Sequence, residues 1–552
     1  MNSKRGREDG DISRYTYDEN VHNTSSSSSL TFGMADSNQL ANRRLVKPSS
    51  NSSNSSNSST KRDKYLHHIS MLNSSFQKHI ASILSSSSSS SHAVPACNDY
   101  LSHMKGLQDV YNETRGEVIT FGSGDCGQLG MGMDEDECFV AVNRPRIVVA
   151  LRNFGMSAIS TGGLHTAAVT AAGAVYTWGC NDDGGVGRTG EDYLAMEVTS
   201  SDPNFTKVIN VGCGDCHTVA VTEAGSAYIW GSYKDKEGKI FSDAVKKDPN
   251  TIRGKKLVPH RVEGVDNAVE IQAGANFNAA RLEDGGILTW GLGETGELGR
   301  GPPLPTKFGE NYNLGGMVSE HLTPLPCIFR DSMNVKPFVV KVACGAHHLL
   351  VIAVGGSNGR GKGVWTSGLN NYGQLGFGML PNGEKDKDGH PEDTKNRSVL
   401  ERIKFLDGKE ICDIDGGNQH SLCVDGEGNC WSWGRGDSGQ LGNSDKCPAG
   451  YFLPNPAKVQ LPPPSHLPRD SKTKSKVKSV SCGSNHNLVL TENNDVFTWG
   501  YGDMLALGHG KEKDENRPKL LKINQGRDEL WEIKQVKGGG QHSGMICVVK
   551  KK

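Results

Sequence analysis

Short apolar runs separated by turn residues recur along most of the chain, and they recur in register. The first complete copy reads GGLHTAAVTAAGAVYTWGCNDDGGVG, in which the segments HTAAVT and AVYTWG have the length and β-branched content of strands. Turns at Ala172-Gly173, Ala224-Gly225 and Asp284-Gly285 join such pairs, glycine supplying the positive φ that a tight hairpin needs. Each copy follows one order: a Gly-x-x-His corner, a strand, a turn, a strand ending in aromatic-Gly, and a Gly-x-Leu-Gly corner. His165 precedes Trp178 by 13 residues, and the same 13 separate His217 from Trp230, Phe277 from Trp290, His420 from Trp433 and His486 from Trp499. Eight residues separate Phe121 from Leu129, Trp178 from Val186, Trp290 from Leu298, Ser367 from Leu375, Trp433 from Leu441 and Trp499 from Leu507. Only the copy from His348 to Ser367 is stretched, by the insertion GGSNGRGKG.

A hairpin alone is marginal in water, and one sheet cannot cover both of its own faces. Repeats of this kind therefore predict sheets stacked around an axis, which buries the faces and leaves only short, protected edges. Seven corners (His165, His217, Phe277, His348, His420, His486, His542) accompany seven strand ends (Phe121, Trp178, Trp230, Trp290, Ser367, Trp433, Trp499). The first strand end has no corner before it and the last corner has no strand end after it. Ring closure resolves the mismatch by joining His542–Val549 to Glu117–Phe121 in one blade. The expected fold is all-β, a seven-bladed β-propeller over residues 113–552.

Residues 1–112 lack this pattern and hold Ser25–Ser29, Ser85–Ser91 and the SSN tract between Ser49 and Ser59. Too little apolar surface is present to offset chain entropy, so a long disordered N-terminal tail is expected. Lys64 to Leu84 alone shows apolar residues at helical spacing, as a segment that folds transiently or on a partner would. Basic clusters stand at Lys4, Arg5 and Arg7, at Arg43-Arg44 with Lys47, and at Lys61-Arg62 with Lys64; they read equally as import signals or phosphate anchors and as solvated linker charge.

Composition adds limits. With 69 glycines and 35% apolar residues the chain suits many tight turns, and a net charge of −1 means that any nucleic-acid contact must be local. No run approaches a membrane span, and the charged start MNSKRGREDG is no secretory signal. Fourteen cysteines without a framework of pairs read as reduced thiols; the one CxxC, Cys213 and Cys216, has no second pair, so no metal is expected. The histidines, one per blade, are spread around a ring and read as loop braces. The tryptophans read as packing. Gly-x-Gly strings lead into corners rather than helices, which removes the helix N-terminus a phosphate would need. No nucleophile–base pair supports a hydrolase, and no cofactor is implied.

The GxxH corners and xWGxGxxGxLG segments resemble the regulator of chromosome condensation family, from Val118 to Val549. GCNDDGGVGR (Gly179–Arg188) looks like that family's second blade, and GCGDCHTVAVTEAGSAYIWGSYKDKEGKI (Gly212–Ile240) like its third, where a β-wedge replaces the corner. The resemblance implies a guanine-nucleotide exchange factor for the small GTPase Ran, without covalent chemistry. It further implies a monomeric nuclear protein whose tail and one propeller face hold chromatin (core histones and DNA), with an import receptor as a further partner. The wedge would be Tyr233, Lys234, Asp235, Lys236, Glu237, Gly238, Lys239 and Ile240. The family's GTPase-facing polar residues fall on Asp125, Asp215, Arg300 and His542. At three positions this chain departs: Lys234 replaces an arginine, Asn276 an aspartate and Gln419 a histidine. Asn276 removes a charge expected to meet a GTPase lysine, so the resemblance implies binding more firmly than exchange. The competing reading is a non-catalytic propeller scaffold, for instance a chromatin or ubiquitin-pathway adaptor.

Overall fold

A computed structural model describes residues 116–133, 141–234, 240–241, 256–301, 321–330, 336–355, 361–380, 384–385, 391–523 and 529–551. The basic tail residues Lys4, Arg5 and Arg7 and the wedge residues Asp235, Lys236 and Glu237 lie outside these. Strands β1 (Glu117–Gly122) and β2 (Val142–Ile147) come first in the chain but belong to the last blade. Blade 1 is β3 (Met156–Thr161), β4 (His165–Thr170), β5 (Val175–Gly179) and β6 (Met196–Glu197). Blade 2 is β7 (Val208–Cys213), β8 (His217–Thr222), β9 (Ala227–Gly231) and β12 (Lys256–Arg261), with a separate ribbon, β10 (Tyr233–Lys234) and β11 (Ile240–Phe241), inserted before β12. Blade 3 is β13 (Ala268–Ala273), β14 (Phe277–Leu282), β15 (Ile287–Gly291) and β16 (Leu325–Pro326). Blade 4 is β17 (Phe338–Cys344), β18 (His348–Val354), β19 (Lys362–Gly368) and β20 (Arg397–Arg402). Blade 5 is β21 (Asp413–Gly416), β22 (His420–Val424), β23 (Cys430–Arg435) and β24 (Phe452–Lys458). Blade 6 is β25 (Val477–Cys482), β26 (His486–Thr491), β27 (Val496–Gly500) and β28 (Glu515–Leu520).

The ring closes as the repeat arithmetic predicts. Blade 7 takes β29 (Glu529–Gly538) and β30 (His542–Lys551) from the C-terminal end and β1 and β2 from the other, with Glu117 opposite Cys547 and Gly122 opposite His542. Closure by pairing segments distant in sequence leaves no open end from which blades could peel.

The two sequence spacings have separate physical causes. The interval of 13 is one hairpin, since His165 pairs with Gly179, His217 with Gly231 and His486 with Gly500. In the stretched copy His348 still pairs with Gly368, so the insertion is confined to the far turn. The interval of eight is a lock: the hydroxyl before the strand-end residue donates to the corner carbonyl. Thr120 reaches Leu129 O at 2.8 Å, Thr177 Val186 O at 2.6 Å and Thr289 Leu298 O at 2.7 Å. Ser432 reaches Leu441 O at 2.7 Å and Thr498 Leu507 O at 2.9 Å.

Between blades the histidines act as the sequence suggests. His165 Nε2 lies 2.8 Å from Thr218 Oγ1, and that hydroxyl donates to Gly185 O at 2.8 Å. The threonine proton being committed, the ring nitrogen donates, which fixes the neutral Nε2–H tautomer. His217 to Asn278 (2.9 Å), His348 to Ser421 (2.9 Å), His420 to Asn487 (2.8 Å), His486 to Ser543 (2.9 Å) and His542 to Thr166 (2.8 Å) repeat the contact. Trp178, Trp230, Trp433 and Trp499 add an indole N–H to the same corner carbonyls, of Gln128, Gly185, Gln374 and Gln440. Burial holds the imidazoles neutral, with pKa values lowered to about 3 for His165, His348, His486 and His542 and about 4 for His217 and His420.

The innermost strands present unpaired N–H groups toward the central shaft, and side chains of neighbouring blades accept from them. Gln535 receives Ile159 N (3.0 Å), Ser160 receives Cys213 N (3.0 Å), Asn210 receives Ile271 N (2.9 Å), Asp413 receives Val480 N (2.9 Å) and Ser481 receives Gly538 N (3.2 Å). Lys341 bridges to Asp413. The hub is thus knit by polar contacts, and the apolar cores lie between adjacent blades.

Candidate interaction face

Because the second strand of each blade begins opposite the end of the third, the His corners and the Gly-x-Leu-Gly corners emerge on one face, the corner face. Hairpin turns and blade-to-blade connections emerge on the other, the turn face. At the centre of the corner face the seven His-corner loops hydrogen-bond in a closed ring. Gly163 N reaches Gly214 O, Asp215 N Ala275 O, Ala275 N Ala346 O, Ala346 N Gly417 O, Asn418 N Ser484 O, Ser484 N Gly539 O and Gly540 N Gly162 O, all within 3.1 Å. The hollow inside this ring is lined mainly by glycine and alanine and offers about 80 Å³. A nucleotide-sized ligand needs several hundred Å³.

Asp125, Asp215, Asn276, Arg300, Gln419 and the ribbon from Tyr233 all lie in corner-face loops, so residues far apart in sequence share one face. Asp125 and Asp215 are exposed, as is Asp182 on the blade between them. Near Asp215 stands His347, whose pKa is lowered by burial while the Asp215 carboxylate works against the shift. Asn276 and Gln419 are half-buried. Tyr233 pairs with Phe241 and Lys234 with Ile240, so the expected wedge has an antiparallel base.

One assignment needs correction, and a second residue is partly committed to the fold. His542 is 0% exposed, with its Nε2 on Thr166 inside the junction of blades 7 and 1, so its ring offers nothing to a partner. It serves the same ring lock as the other five histidines. Arg300 is half-buried and directs Nε to Thr289 Oγ1 (3.2 Å) and one terminal nitrogen to Thr323 O (2.9 Å). Those two contacts tie the outer part of blade 3 together.

The structure also shows what sequence reading missed. Gln419 Oε1 accepts from Arg435 at 2.8 Å, and Arg435 meets Asp437 with two parallel bonds of 2.8 and 2.9 Å. The same guanidinium lies over the Tyr372 ring, 5.0 Å from its centroid. This preorganised group occupies the corner face where blades 4 and 5 meet. Its only sequence signal is an arginine directly after the Trp433-Gly434 strand end.

The class of protein defined here is a seven-bladed propeller with exposed charged loops gathered on one face. A family described as "RCC1-like domain" matches residues 117–545. The "Regulator of chromosome condensation" of Xenopus laevis is 30% identical over 446 residues, covering 79% of this chain and 90% of that one. "Guanine nucleotide exchange factor SRM1" of Saccharomyces cerevisiae is 25% identical, covering 82% and 90%. Among solved structures, Prp20p of the same yeast superposes with a TM-score of 0.63 at 25% identity over 80% of this chain and 93% of its own; it was described with its binding to Gsp1p and histones. The chain belongs to the RCC1-like propeller family.

Proposed function

We propose that this protein is a nucleotide-exchange factor for Ran and binds the GTPase through the corner face. The observation that carries the reading is the gathering of Asp125, Asp215, Asn276, Gln419 and the Tyr233 ribbon on that one face of a family propeller. Exchange forms no covalent bond. A factor that prefers the nucleotide-free GTPase must, by reciprocity, weaken nucleotide binding by the same factor. Each tenfold gain in release requires about 1.4 kcal/mol of such preference. The exposed carboxylates would meet basic groups of the GTPase, and the ribbon would displace the loops that hold phosphate and magnesium. Asn276 retains hydrogen bonding without charge, which favours retained binding with slower release.

Chromatin would be held on the turn face, leaving the corner face free. The connection between blades 5 and 6 supports this, since it exposes Arg469, Lys472, Lys474 and Lys476, with exposed Lys478 following at the start of β25. Such a run suits phosphate backbones and gives salt-dependent binding. The basic tail cluster Lys4, Arg5 and Arg7 would add to it or engage an import receptor, in keeping with a nuclear, chromatin-associated monomer.

The test is release of a fluorescent guanine nucleotide from purified Ran with the full chain at catalytic amounts. Acceleration that Asp215→Ala slows, and that Asn276→Asp increases, is the expected result. A folded protein that leaves the release rate at its spontaneous value refutes exchange and favours the scaffold reading.

A further inference from the structure

One corner breaks the rule that the others keep. In the corners of blades 7, 1, 3, 4 and 5 the turn is made by Gly127, Gly184, Gly296, Gly373 and Gly439, all at positive φ, between 69° and 95°. Only glycine adopts that backbone freely. Blade 6 places Leu505 there at φ 61°, and Met504 before it is also left-handed, at φ 56°. Blade 2 has the ribbon instead. Among the described residues the other non-glycine positive-φ positions are Asn153, Lys207, Asn267, Glu410 and Asn494, and all lie in turn-face connections or turns. Two successive large apolar residues held left-handed are thus peculiar to the corner face of blade 6.

The cause is local. In four corners a buried side chain accepts the backbone N–H two residues earlier: Gln128 from Cys126, Glu297 from Thr295, Gln374 from Tyr372 and Gln440 from Ser438. Blade 6 has Ala506 at that position, so this brace is missing. The segment is instead tethered by Gly502 N donating to Asp514 Oδ1 (2.7 Å) and by the Tyr501 hydroxyl donating to Asp503 Oδ2 (2.8 Å). Tyr501 and Met504 stand 41% and 36% exposed on the corner face, with Asp503 and Asp514 beside them. Strained backbone that displays apolar groups to solvent gains the folded protein nothing by itself, and such strain gathers where a surface meets a ligand.

We infer that Tyr501 and Met504 form the apolar anchor by which the corner face seats its GTPase, inserting into a hollow of the partner that is bordered by lysine or arginine. This rests on the exchange reading and adds a residue-level role to it. The carboxylates at the edge match a basic border, and an aromatic ring with a flexible thioether suits an apolar hollow. Anchoring is separate from displacement: the anchor sets how tightly the GTPase is held, whereas the ribbon and Asp215 set how fast nucleotide leaves.

The test uses the full chain carrying Met504→Gly or Tyr501→Ala, with nucleotide-free Ran as the probe. Met504→Gly relieves a left-handed residue, so its melting temperature should equal or exceed that of the unaltered protein. Its Kd for nucleotide-free Ran should rise about tenfold, as loss of a well-packed anchor does. The release rate at saturating exchange factor should stay within about twofold. The loss should persist between low and high salt, while the weakening caused by Asp215→Ala should shrink as salt rises. Unchanged affinity in both stable variants overturns the anchor and leaves exchange standing. An unaltered protein that fails to bind Ran overturns the exchange reading, and the anchor with it.

Discussion

At six junctions of the ring, a histidine of one blade hydrogen-bonds a hydroxyl or amide of the next. At the junction of blades 3 and 4 the same two positions are Phe277 and Leu349, 1% and 0% exposed in one apolar cluster. The strand-end tryptophan of blade 4 is replaced too, by Ser367, and Trp365 two residues earlier packs in that cluster. Donor and acceptor have been lost together. Had only one changed, a buried polar group would have been orphaned at a cost of about 1–3 kcal/mol. The comparison teaches that the histidines are joints of the ring with no chemistry of their own, because an apolar pair closes the seventh junction.

The largest test of that contrast is acid. Six imidazoles have folded pKa values near 3 to 4, set by burial, against about 6.5 unfolded. The unfolded chain binds protons first as pH falls, so stability is intact above pH 6.5 and is lost below it. Each histidine removes about 1.4 kcal/mol per pH unit, and six together rival the whole stability of a domain. Circular dichroism should show the melting temperature collapsing between about pH 6 and 4.5; a flat profile to pH 4 would mean the rings are not neutral joints. Next in size, Trp433→Ala should cost about 3–5 kcal/mol in denaturant unfolding, because Trp433 is 0% exposed and bonds the Gln374 carbonyl.

Glu297 offers a test of opposite sign. It stands where other corners have glutamine, is 1% exposed, and burial raises its pKa to about 7. The folded state holds its proton more tightly than the unfolded, so its stability is full below about pH 4.5 and is lost as pH rises through 7. Glu297→Gln should therefore stabilise by roughly 3 kcal/mol at pH 8 and by less than about 1 at pH 5, read from paired unfolding curves. Smallest is the polar joint itself, converted to the form at blades 3 and 4. His348→Phe and Ser421→Leu should each destabilise, and the double variant should recover about 1–2 kcal/mol of the sum. Strict additivity would show that the two residues do not act as a pair.

The fold was legible because the two spacings are set by local geometry: a hairpin fixes 13, and the lock from Thr177 to Val186 fixes eight. The site was legible in part. That Asp125, Asp215, Asn276 and Gln419 share a face follows from the repeat, since all lie in corner loops. Burial is not written in a single chain, so His542 read as a surface residue when its place in the ring already matched His165. Dihedral angles are equally hidden: GYGDMLALG shows the missing corner glycine, yet only the structure shows Met504 and Leu505 left-handed. The partnership of Arg435 with Gln419 joins a strand end to a corner loop and has no sequence period at all.

The most direct measurement is the affinity of the full chain for Ran in two states, nucleotide-free and GDP-bound, at one salt concentration. The account predicts at least a hundredfold preference for the nucleotide-free form, about 2.7 kcal/mol, reduced in parallel by Asp125→Ala and Asp215→Ala. Equal affinity for both states would contradict it, because a protein that does not distinguish them cannot shift nucleotide release.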